Sequence, residues 1–147
     1  MNAEQATLSQ NLISSDLIIV VVRVVFGGIV FTVHGVHKAI DGAAYFMHHK
    51  PWPLADEIGA IGLPAQSTIA VLATAIQLVM PILLVAGFHT RLSAIAFMFV
   101  FAGAIAQNVS SGRDPQLAIV YLLIALLYFA LGGGPWSLDA LLARGDR

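Results

Sequence analysis

The sequence predicts an all-α integral membrane protein: an antiparallel four-helix bundle, with a long loop between its first two helices that carries a short interfacial helix. Three observations carry this prediction. Apolar residues make up 59% of the 147 and charged residues only 10%, with a mean hydropathy of +0.87, whereas soluble globular chains are about 25% charged. The apolar residues gather into four runs, each near the ~20 residues that a bilayer core requires. Two of the connections are only a few residues long, which makes the spans they join antiparallel.

The first span covers about residues 17–37. Between Leu17 and Val33 its only charge is Arg23, and the helix can continue to His37. The second, residues 69–88, has no charge; Thr74 and Gln77 are its clearly polar side chains, and Pro81 predicts a kink. The third runs over residues 92–109 and the fourth over 117–131, where Gly132, Gly133, Gly134 and Pro135 stop the helix. His89 to Arg91 joins spans two and three, and Ser110 to Gln116 joins three and four.

The loop from Lys38 to Ser67 is neither a polar linker nor an apolar span. Tyr45, Phe46, Met47, His48, His49, Pro51 and Trp52 give it the aromatic character favoured at a membrane interface. Leu54, Ile58 and Ile61 then recur at helical spacing around Asp56 and Glu57, which predicts a short helix lying on the surface until Pro64 ends it.

The organisation read from the chain is a polar N-terminal segment (1–16), one membrane domain (17–142) and a polar tail (143–147), with no internal repeat. Four crossings put both termini on one side with the His89–Arg91 turn. Arg91, Arg144 and Arg147 on that side balance Lys38, Lys50 and Arg113 on the other, and cytoplasmic termini are the expectation. Met1 to Asp16 carries no Lys or Arg and no small-residue cleavage site follows the first apolar run, so no cleaved signal peptide is expected.

Composition also excludes functions. A net charge of −1 and a pI near 6.5 provide no basic surface for nucleic acid. The absence of cysteine excludes disulfides, dithiol relays, Fe–S ligation and covalently attached c-type haem. Dinucleotide, Walker, nucleophile-elbow and H-E-x-x-H motifs are all missing.

The remaining chemistry lies in polar residues within the spans. Arg23, Gly27, Phe31, His34 and Lys38 step by helical intervals and form one stripe expected to face protein. An intramembrane arginine points by default into a bundle or wet cavity. The alternative is snorkelling, because Arg23 lies about 9 Å past Leu17 at 1.5 Å per residue. By the same arithmetic Gln77 lies at about 16 Å, Gln107 at about 22 Å and His34 at about 25 Å from the terminal side. Gln116 and Tyr121 open the fourth helix on the same side as His34. His34, Gln77, Gln107, Asn108 and Tyr121 therefore form a candidate polar pocket, against interhelical hydrogen bonding worth only ~0.6 kcal/mol per pair. Of the five histidines, His34, His37, His48 and His49 lie on the long-loop side and His89 on the other, so no metal site or bis-histidine haem is expected.

These residues resemble the DoxX family of small four-helix membrane proteins. The run from Arg23 to Lys38 is similar to the family's Arg, Gly, Phe, His-Gly and Lys pattern. Gly62-Leu63-Pro64, Gly87-Phe88-His89-Thr90-Arg91 and Gly134-Pro135-Trp136-Ser137-Leu138-Asp139 resemble further family segments in the same order. Where relatives often carry acids, this chain has Gln77 and Gln116, which makes active chemistry less expected. The resemblance implies a membrane redox setting: a subunit that anchors or assembles an oxidoreductase complex and offers a quinone-binding cavity, with no intrinsic cofactor. Under this reading Arg23, His34, Gln77, Gln107, Asn108 and Tyr121 line the cavity. Tyr45, His48, His49 and Trp52 dock a redox partner. The alternatives are an oligomeric carrier for a small molecule or protons, and a stand-alone quinone-linked oxidoreductase.

Overall fold

The computed structural model describes the backbone of residues 3–145 and the side chains of residues 15–145. The elements are α1 (Ala3–Ile29), a π-helical segment (Val30–Val36), α2 (His37–His48), α3 (Pro53–Ala60), α4 (Gln66–Ala86), α5 (Thr90–Ser110), α6 (Gln116–Leu131) and α7 (Leu138–Gly145), with no strand among the described residues. The polar segment expected at 1–16 is thus helical from Ala3, and its side chains up to residue 14 lie outside the described residues, as do the last two residues of the 143–147 tail.

Three helices are long and apolar enough to cross a membrane: the continuous run Ser15–His48, Gln66–Ala86 and Thr90–Ser110. The protein is therefore an all-helical integral membrane protein. α6 carries no charge and is largely apolar after Gln116, but has 16 residues, about 24 Å at 1.5 Å per residue.

The first span does not end near His37. It continues as α2 to His48, because Lys38 to Ala44 contains no proline, Gly42 is tolerated where it packs against Trp52, and the chain turns only at His49, which adopts φ 54°. Tyr45 to His48 are consequently the last turn of a helix rather than part of a loop. α3 begins where proline at the first helical position favours it, after an extended Trp52.

α4 packs against α1 and the π segment on one side and against α5 on the other; α5 runs along α6, and α3 rests on α4. Phe26, Phe97, Phe101 and Tyr121 fill the centre, Phe26 meeting Phe97 and Tyr121 edge-on at centroid separations of 5.6 Å. Edge-on pairs of this kind add about 0.5–1.5 kcal/mol beyond burial. A second cluster of Trp52, Ala55, Ile58 and Ala70 pins α3 to α4. Leu17, Ile18, Val21, Val24 and Val25 of α1 are exposed, as expected of a surface solvated by lipid.

α4 remains helical through Pro81, which is buried. Proline has no N–H, so the carbonyl of Gln77, four residues earlier, loses its helical donor. Gly35 of the π segment occupies the space beside that carbonyl. A Cβ at position 35 would collide with the Gln77 carbonyl oxygen and lie 2.9 Å from its carbon, an approach that supports a Cα–H···O contact. The buried face of the first helix runs Phe26, Val30, Gly35. The last step is five residues, as a π turn requires.

Candidate functional site

The long-loop end of the molecule holds a cleft of about 430 Å³ between α3, α4 and α5. Its walls are apolar: Leu54, Ile58, Ile61, Ile69, Leu72, Ile76, Phe99 and Val100. Its polar residues are Lys38, Glu57, Gln107, Asn108 and Arg113. Arg113 donates from Nη2 to Glu57 Oε1 at 2.8 Å, tying α3 to the α5–α6 turn across the rim. An exposed ion pair of this kind contributes about 0–1 kcal/mol, so its interest lies in position rather than stability. Gly103 faces the cleft, and a side chain there would meet no atom within 4 Å.

Of the residues singled out in the sequence, Gln107 and Asn108 line this cleft. His34 and Tyr121 instead face each other inside the bundle, with ring centroids 5.5 Å apart. Gln77 is 2% exposed at the contact with Gly35. Trp52 is also 2% exposed and belongs to the core of its corner, packed beneath Gly42, so its ring offers no docking surface. Tyr45 is half-buried, and His48 and His49 are exposed. Lys38, Glu57 and Arg113 were not singled out as site residues. Lys38 enters the sequence reading as the end of the polar stripe and Glu57 as part of the surface helix, but no pattern in the chain shows that the two meet Arg113 at one cleft.

Arg23 lies at the other end, in a clasp. Its Nη1 donates to the Gly133 carbonyl at 2.6 Å and its Nη2 to the Trp136 carbonyl at 3.0 Å. These carbonyls lie just beyond the C-terminus of α6, where unpaired acceptors and the negative end of the helix dipole favour a cation. Tyr128 Oη donates to the Ile19 carbonyl at 2.8 Å and ties α6 to α1 beside it. The α4–α5 turn closes the clasp. Gly87, at φ +69°, approaches so closely that a Cβ would come within 2.5 Å of Arg23 Nη1.

Asp139 completes this end by capping α5. Its carboxylate accepts from the His89 N–H at 2.8 Å and the Thr90 N–H at 3.0 Å, while its own N–H donates to the Gly87 carbonyl. Ser137 caps α7, its Oγ accepting from the Ala140 N–H at 3.2 Å. Partial burial alone would raise the Asp139 pKa, but the Thr90 and His89 N–H groups outweigh it and hold the carboxyl below its ordinary value. A depressed carboxyl pKa contributes stability that is complete above the unfolded value, about 3.9, and is lost as pH falls through the folded value. In detergent, the wild type is expected to lose thermal stability relative to Asp139→Asn as pH drops below about 4. A constant difference down to pH 2 would contradict the cap.

Among the described residues no three of His, Cys, Asp and Glu converge as a metal-binding group. No curated protein and no solved structure is significantly similar to the chain. The DoxX family model matches residues 18–108, from the first span to the polar wall of the cleft. The chain is a member of the DoxX family.

Proposed function

We propose that this protein is a membrane subunit that anchors or assembles an oxidoreductase complex, and that the cleft between α3, α4 and α5 receives a quinone-class ligand from the bilayer. The observation that carries the proposal is the cleft itself. An isoprenoid-like tail matches walls of Ile, Leu, Val and Phe, and a polar head matches the group of Lys38, Gln107, Asn108 and Arg113. Here α6 serves as a fourth crossing, α3 lies along the interface, and the termini share the cytoplasmic side. The exposed end of α2, with Phe46, Met47, His48 and His49, is the surface offered to a redox partner.

When bound, a quinone supplies the capacity to accept electrons and protons. The chain's own part is to hold and orient it. Asn108 and Gln107 have amide donors for a head-group carbonyl, Lys38 adds positive charge beside it while Arg113 is paired with Glu57 at the rim, and the apolar walls keep water from the tail. Filling the cleft tests this. Gly103→Phe is expected to fold normally, because position 103 opens onto free space, and to reduce quinone recovered with the purified protein at least tenfold. Unchanged recovery would remove the cleft as the binding site.

A further inference from the structure

We propose that α7, together with Trp136, is an interfacial anchor that lies in the boundary layer of the bilayer and turns its leucines into lipid. The helix is two-sided. At about 100° per residue, Leu138, Leu141 and Leu142 share one arc, and all three are exposed. The first turn is held to protein on its other side. The Asp139 carboxylate accepts from the His89 and Thr90 N–H groups, and Ala140 lines the recess between the end of α6 and the start of α5. These contacts decide which face is left over. Trp136, just before the helix, has its carbonyl held by Arg23 while the residue as a whole is 61% exposed.

Contacts across the bundle fix the level of this helix. The segment leading into α7 lies beside Ile19: a Cβ at Gly134 would be 3.4 Å from the Ile19 side chain, and the Tyr128 hydroxyl donates to the Ile19 carbonyl. At the other end of the molecule Tyr45, hydrogen-bonded to Ser67 and packed on Phe46 and Trp52, marks the opposite interface. Ile19 and Tyr45 are 26 residues apart on one unbroken helical run, about 39 Å at 1.5 Å per residue. A bilayer measures about 30 Å across its hydrocarbon and about 40–45 Å with its polar layers. α7 therefore starts within the polar layer, not in bulk water beyond it.

The neighbouring surface identifies the occupant as lipid. Leu17 and Ile18, one and two residues further out than Ile19, are exposed, and so is Leu131 at the end of α6. The leucine face of α7 thus continues an apolar surface that already runs to its level. An amphipathic helix with a tryptophan at its start suits this depth, because the indole has an apolar body and a polar N–H. A protein partner fits less well: stable interfaces take about 20–30 residues a side, and this patch has four large side chains. The anchor lies at the opposite end of the bundle from the quinone cleft and does not rest on that reading.

The chain has no cysteine, so single spin labels can be introduced into the full-length protein in lipid nanodiscs. Leu141→Cys, Leu142→Cys and Ala143→Cys are compared for collision with oxygen, which concentrates in lipid, and with a water-soluble nickel chelate. Leu123→Cys, exposed in the middle of α6, is the lipid standard. The ratio of oxygen to nickel collisions is expected to be several times higher at 141 and 142 than at 143, which lies outside the leucine arc. Nickel collisions dominating at all three positions would place α7 in water and overturn the proposal. Weak collisions with both reagents at 141 and 142 would show a second copy of the chain covering the face, and would overturn it equally. Fluorescence of the wild type gives a check without labels. Phospholipids brominated high on their acyl chains are expected to quench the component that Trp136→Phe removes, and an unquenched component would contradict the anchor.

Discussion

Gly35→Ala is expected to destabilise the protein by about 3 kcal/mol, at the upper end of overpacking costs, because the added methyl meets backbone rather than a side chain that can move. The methyl would press on the Gln77 carbonyl, and relief requires separating the π segment from α4 along the contact that positions the first helix. The expected fall in Tm is on the order of 10 °C. Gly28→Ala is the matched control, since a Cβ there meets nothing within 4 Å. Replacing a helical glycine where there is space stabilises by about 0.5–1 kcal/mol. Two glycines on one helix are thus expected to respond with opposite sign. Equal responses in a detergent melting series would show that the close approach at Gly35 does not hold the helices together.

Arg23→Met is expected to cost about 3 kcal/mol by opening the terminal clasp. The substitution removes two hydrogen bonds from a charged donor, each worth about 1.5–3 kcal/mol, partly offset by no longer burying a charge. It also leaves the Gly133 and Trp136 carbonyls without the donors they have now. Arg23→Lys is expected to recover only part of the loss, because an ammonium cannot reproduce the planar fork that reaches both carbonyls. Melting temperature and quinone recovery, measured together, separate two roles for this residue. A large Tm loss with ligand retained supports the clasp. An unchanged Tm with ligand lost would return Arg23 to the ligand site.

The membrane character and the helical segments were legible because both rest on composition and punctuation. The stop at Gly132 is where the glycine run places it, and α4 and α5 differ from the expected spans by three residues or fewer at each end. The π segment was not legible. A helix that is apolar on nearly every side has no clear period, so one extra residue in a turn leaves no trace in the pattern. The extension to His48 was missed because aromatic and histidine residues suggested an interface, while the actual stop depends on the backbone at His49.

The site shows the same division. Gln107 and Asn108 stand out as amides at the end of an apolar span, and both line the cleft. The partners of Arg23 are backbone carbonyls more than 100 positions away, which no residue type advertises. Yet three of the segments that resemble the family pattern converge on the clasp: the Arg23 helix, the Gly87–Arg91 turn and the Gly134–Asp139 stretch. The pattern was read as a sign of redox function, and the structure gives much of it an architectural reason.

The central claim is that this subunit carries a quinone-class ligand in its cleft and works beside a redox partner. Native mass spectrometry of protein released from its own membrane in mild detergent tests both parts at once. The account predicts a stoichiometric complex with a redox subunit and a quinone-sized adduct that disappears in Gly103→Phe while the complex persists. A bare monomer or homo-oligomer, with neither partner nor adduct, would contradict it.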